Sequence, residues 1–100
     1  MNPEQRLRIQ KCYVLLADNL EAETIADNLY TECVIEFDDR QRICAEVTDR
    51  DKAKRLLDIL LTKENSYKPL LKEIETLRPD LLHNLTQIDI EEELKKGIKE

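Results

Sequence analysis

Residues 48–63, TDRDKAKRLLDILLTK, spell out a helix with both ends marked. Thr48 followed three positions later by Asp51 is a capping-box-like start, because the hydroxyl can accept an early backbone N–H while the carboxylate reaches back. Ala53, Leu56, Leu57 and Leu60 fall at i, i+3, i+4 and i+7, which places them on one face. Arg50, Lys52, Lys54 and Arg55 crowd the first two turns, where the helix dipole disfavours cations. Helix propensity does not account for them there. A helix that anchors a core while holding up a basic cluster implies a docking surface.

Upstream, a first helix is expected to start at Pro3 with Asn2 as cap. It buries Ile9, Cys12, Tyr13, Leu16 and Leu20 and ends near Asp18-Asn19, with Arg6, Arg8 and Lys11 mostly off the apolar stripe. A second helix spans about 21–30, with Ala22, Ile25, Ala26, Leu29 and Cys33 on its apolar side. Glu23 and Asp27, four apart, share its outer face. The run Val34-Ile35-Glu36-Phe37 leans towards β but has no pairing partner, so it reads as a buried connection. Asp38 with Gln41 suggests the start of a short third helix over about 39–46, burying Ile43 with Cys44 and Val47.

Downstream of residue 63, the polar turn Lys63-Glu64-Asn65-Ser66 leads into a fifth helix capped by Asn65 or Ser66, whose first turn tolerates Pro69. Its stripe is Tyr67, Leu70, Leu71, Ile74 and Leu77. Pro79 opens a sixth helix carrying Leu81, Leu82 and Leu85. The apolar stripes, Tyr13, Tyr67 and Phe37 included, are assigned to the core. Residues 89–100 are charged, with Glu91–Lys95 and Glu92–Lys96 at helical spacing, and read as an exposed helical extension fraying at Gly97. The expectation is an all-α, six-helix antiparallel bundle over 1–88 followed by a charged extension over 89–100.

Composition agrees with that architecture. One glycine and three prolines in 100 residues leave little material for tight hairpins. No apolar run reaches the length of a membrane span, and the opening MNPEQRLRIQK is not a signal peptide. The chain therefore reads as soluble and cytoplasmic. Its three cysteines, at positions 12, 33 and 44, read as reduced thiols used as small hydrophobes. His83 is the only histidine, so a His-containing metal site would need all three cysteines, at separations that match no compact zinc pattern. No signature surrounds a Cys–His nucleophile pair and no Gly-rich phosphate loop is present. No catalytic residue, metal or cofactor is assigned.

The net charge of −6 argues against nonspecific nucleic-acid binding. The average hides a segregation. Between Cys12 and Asp39 there is no Lys or Arg but eight acids, whereas cations gather at Arg6, Arg8 and Lys11 and again from residue 50 to 55.

RLLDILLTKENSYKPLLKEIETLRPDLLHNL, residues 55–85, resembles the second half of a caspase recruitment domain (CARD) of the death-fold superfamily. The upstream half fits too, with a long first helix, an acidic second and a short third ending before RLLDIL. The likeness spans about residues 3–86. It departs from the family where Glu64-Asn65 replaces a common glycine and where Leu70 or Leu71 stands for an aromatic. A sister class, the death-effector or pyrin domain, stays open on these grounds.

The resemblance implies a Greek-key bundle that works by homotypic binding, a basic patch on the first and fourth helices docking on an acidic patch of the second and third. Carried onto this sequence, the basic side is Arg6, Arg8, Lys11, Arg50, Lys54 and Arg55. The acidic side is Glu23, Asp27, Glu32, Asp38 and Asp39. Arg55, Arg50 and Arg8 against Asp27, Glu23 and Asp39 are the principal contributors expected. One exposed ion pair contributes only about 0–1 kcal/mol, but complementary clusters steer encounter and fix register. The implied partners are CARD-containing proteins (a caspase, kinase or adaptor) and a second copy of the chain in a helical oligomer, with neither nucleic acid nor membrane. Two other readings remain: a plain dimerising helical bundle acting as a regulatory subunit, and a nucleic-acid binder using the basic helix.

Overall fold

The computed structural model describes residues 1–88, which form α1 (Pro3–Lys11), α2 (Tyr13–Asn19), α3 (Ala22–Thr31), α4 (Phe37–Ala45), α5 (Asp49–Leu61), α6 (Tyr67–Leu77) and α7 (Pro79–Gln87). The expected extension over 89–100 lies outside the described residues. Among those described, every regular element is a helix. The all-α bundle holds, with seven helices among the described residues in place of six because the expected first helix is divided.

The division falls at Cys12, whose backbone (φ −98°, ψ 9°) ends α1 and begins α2. Neither glycine nor proline marks it. The cause is tertiary: α1 packs on α7, whereas α2 packs on α5. On either side of this one-residue break, Ile9 of α1 and Leu16 of α2 are both fully buried. Asn2 caps α1 as expected, in a reciprocal box with Gln5 at 2.8 and 3.1 Å.

α5 packs on α2, α3 and α4. Ala53, Leu56, Leu57 and Leu60 are all fully buried, as the spacing predicts, and Ile59 joins them. The Thr48 hydroxyl accepts the Asp51 N–H at 3.0 Å. Leu70 and Ile74 of α6, with Leu81 and Leu85 of α7, close the other side of the core. Ser66 precedes α6 without capping it. It is fully buried, and its hydroxyl donates back to the Leu60 and Lys63 carbonyls at 2.7 and 3.1 Å. That contact ties the turn after α5 to the last turn of the helix.

Four expectations around α3 and α4 are corrected. Cys33 is exposed and does not extend the apolar stripe. It sits at φ 63°, just past α3, where its N–H donates to the Tyr30 carbonyl (3.0 Å) and the Val34 N–H to the Leu29 carbonyl (2.9 Å). This is a Schellman termination, which turns the chain left-handed to satisfy the last carbonyls. The start of α4 is set by Glu36 and Asp39, whose side chains and backbone amides bond reciprocally, rather than by Asp38 and Gln41. Ile35 is buried in the connection as expected, but Phe37, the first residue of α4, is 52% exposed. Val47, in the loop before α5, stands almost fully in water instead of in the core.

Candidate interaction surfaces

The basic side chains serve different ends of the fold. Arg6 on α1 is exposed, and its Nη1 donates to the Leu61 carbonyl at 2.6 Å, the negative end of α5. Arg8 turns the other way. Its Nη1 donates to the Leu85, Thr86 and Ile88 carbonyls (3.3, 3.1 and 3.1 Å) at the end of α7, and Nη2 meets Glu4 at 3.3 Å. Lys11 is exposed beside a shallow groove against α7 lined by Cys12, Leu15 and His83.

Arg50, Lys54 and Arg55 occupy the N-terminal half of α5. Arg50 pairs with Asp18 at 2.9 Å and Arg55 with Glu46 at 2.8 Å. The Lys54 ammonium has no hydrogen bond or ion pair among the described residues, although its carbonyl lies 3.4 Å from the Tyr13 hydroxyl. That hydroxyl donates to Asp58 at 2.9 Å, and burial, reinforced by this bond, pushes the phenol up to about 12.

On the acidic side, Glu23 pairs with Lys52, and Asp27 with Arg40 at 2.6 Å. Glu32 and Asp38 are exposed at the α3 end and the α4 start, and among the described residues neither side chain has a partner. Asp39 is different. It is 8% exposed and accepts both the Glu36 N–H (3.0 Å) and the Lys63 ammonium (2.9 Å). The structure thus brings Glu23, Asp27, Glu32 and Asp38 to the α3–α4 surface and turns Asp39 inward.

Burial would push the Asp39 carboxyl up, but the Glu36 amide, the Lys63 ammonium and the Arg42 charge together hold it below its ordinary value. A carboxyl lowered in the folded state stabilises it above the unfolded pKa and loses that contribution as pH falls through the folded one. Urea unfolding of wild type and Asp39→Asn is expected to separate above about pH 5 and to converge as pH falls through the lowered folded-state pKa, with wild type the more stable where they differ.

Sequence reasoning missed the pairing of Lys52, Arg40, Glu46 and Asp18 with patch residues, which partly neutralises the patches from within the same molecule. Nothing in linear order marks them, since Asp27 and Arg40 meet only once α3 and α4 have packed. It also missed that Tyr30 and Phe37 stay in water, their ring centroids 6.1 Å apart and the planes inclined at 56°.

Among the described residues, no helix is long and apolar enough to cross a membrane. The family model of the caspase recruitment domain matches residues 6–88, and the chain belongs to that family. CARDs are homotypic interaction modules of the death-fold superfamily, typically non-enzymatic, that bind other CARD or death-fold domains. Neither a curated protein nor a solved structure matches the chain.

Proposed function

We propose that this CARD is a non-enzymatic scaffold in cytoplasmic apoptotic or innate-immune signalling, recruiting CARD-bearing caspases, kinases or adaptors. Residues 1–88 are the module and 89–100 an extension of it. The family match over residues 6–88 carries the reading. The charge distribution supports a contact between Arg50, Lys54 and Arg55 on one copy, aided by Arg6 and Lys11, and Glu23, Asp27, Glu32 and Asp38 on the next. Arg8 and Asp39 act through the fold.

Four of these charges, Arg50, Arg55, Glu23 and Asp27, already pair with a charge within the molecule. Such pairs are weak and solvent-screened, so association exchanges one set of partners for another instead of desolvating bare charges. Two different surfaces meeting head to tail make a heterologous contact, which propagates into an open assembly unless geometry closes it. Tethered effectors are thereby raised to high local concentration.

The test uses two complementary variants. Lys54→Glu/Arg55→Glu removes the basic surface, and Glu32→Lys/Asp38→Lys removes the acidic one. Light scattering is expected to find wild type associating more weakly as salt rises, each variant monomeric, and their mixture forming a one-to-one complex. Failure of the mixture to pair would overturn the patches. Association indifferent to salt would point instead to an apolar bundle dimer.

A further inference from the structure

Tyr30 and Phe37 are large apolar side chains left 42% and 52% exposed on one corner of the molecule. They are not scattered singly, because the two rings contact each other in a tilted pair across the turn that joins α3 to α4. Carboxylates neighbour them along the chain: Glu32 follows Tyr30 closely and Asp38 directly follows Phe37, both exposed and without a side-chain partner among the described residues, and exposed Glu36 directly precedes Phe37. Arg40, on the same helix as Phe37, is already engaged by Asp27. This corner therefore offers flat apolar faces inside a negative field. It repels anionic partners and suits a cation carried on an apolar stem, whose aliphatic part covers a ring while its charged head reaches the carboxylates.

A basic surface of that kind is present on the chain itself. Lys54 has an unengaged ammonium, and Arg50 and Arg55 flank it on exposed parts of α5 with planar guanidinium groups able to stack on aromatic faces. Charge pairs that merely exchange partners leave little net affinity, and interfaces concentrate theirs in a few desolvated aromatic and arginine contacts. We infer that the Tyr30–Phe37 pair is the apolar anchor of the acidic surface, and that its occupant is the Arg50, Lys54 and Arg55 face of a second copy. This rests on the patch reading above and adds to it where the affinity resides.

The test places one further substitution in the complementary pair. Phe37→Ala goes first into the Lys54→Glu/Arg55→Glu chain, whose acidic corner is intact, and separately into the Glu32→Lys/Asp38→Lys chain. In the first position it is expected to weaken the one-to-one complex roughly tenfold or more, with an unchanged salt slope. In the second it is expected to have no effect. Tyr30→Thr repeats the measurement in the event that Phe37→Ala disturbs the start of α4, with helical content checked by circular dichroism. Wild-type affinity for both ring variants in the first position would overturn the anchor and leave the charge patches standing. Equal loss in both positions would also overturn it, since the ring would then act through the fold. If the parent pair does not form a complex, the patch reading fails and the anchor with it.

Discussion

Leu57→Ala is expected to remove about 3–4 kcal/mol of stability, the scale found for a fully enclosed leucine whose cavity only partly collapses. Leu57 is 0% exposed on α5, the helix packed on α2, α3 and α4, so a void there loosens the centre of the fold. For a domain of this size that corresponds to a fall in melting temperature of roughly 12–25 °C, read by thermal circular dichroism. It is also a large share of the roughly 5–15 kcal/mol that folded domains possess. Leu57→Met keeps most of the volume and is expected to cost less than about 1.5 kcal/mol. Equal losses from the two substitutions would mean that volume at this position does not control stability.

Arg8→Glu is expected to cost about 2–3 kcal/mol, because three carbonyls at the end of α7 lose a charged donor and face a negative charge instead. Arg8→Lys keeps the charge but replaces the planar fork by a point donor, so its loss should be smaller but measurable. Urea denaturation of the three proteins ranks them. The ordering wild type, Lys, Glu marks Arg8 as a tie between the two ends of the described chain. If Arg8→Glu is as stable as wild type yet defective in association, the guanidinium belongs to the docking surface after all.

α5 could be read from the sequence because its signals are local: a threonine cap, a leucine stripe at helical spacing and a polar exit. The break at Cys12 could not, because it depends on α1 and α2 choosing different neighbours, and no local residue preference records that choice. The exposure of Cys33 escapes the sequence for a related reason. Its apolar character and helical register point inward, but the register ends at Glu32, and the left-handed residue after it faces water. The pairing of charges is least visible of all. Linear order separates the acids from the bases, whereas folding sets Arg50 on Asp18, Lys52 on Glu23 and Arg40 on Asp27. The eight-acid segment is therefore less negative in space than it is along the chain.

The left-handed turn at Cys33 also has a bearing on recognition. A side chain with a Cβ is held there against a steric penalty of roughly 1–2 kcal/mol, and the two hydrogen bonds of the helix termination keep it in place. By reversing the chain within a few residues, this turn carries Phe37 back beside Tyr30. The handedness of one residue thus sets the spacing of two rings that lie seven positions apart in sequence. The pair is formed before any partner arrives, and its alignment is a property of the turn rather than of the encounter.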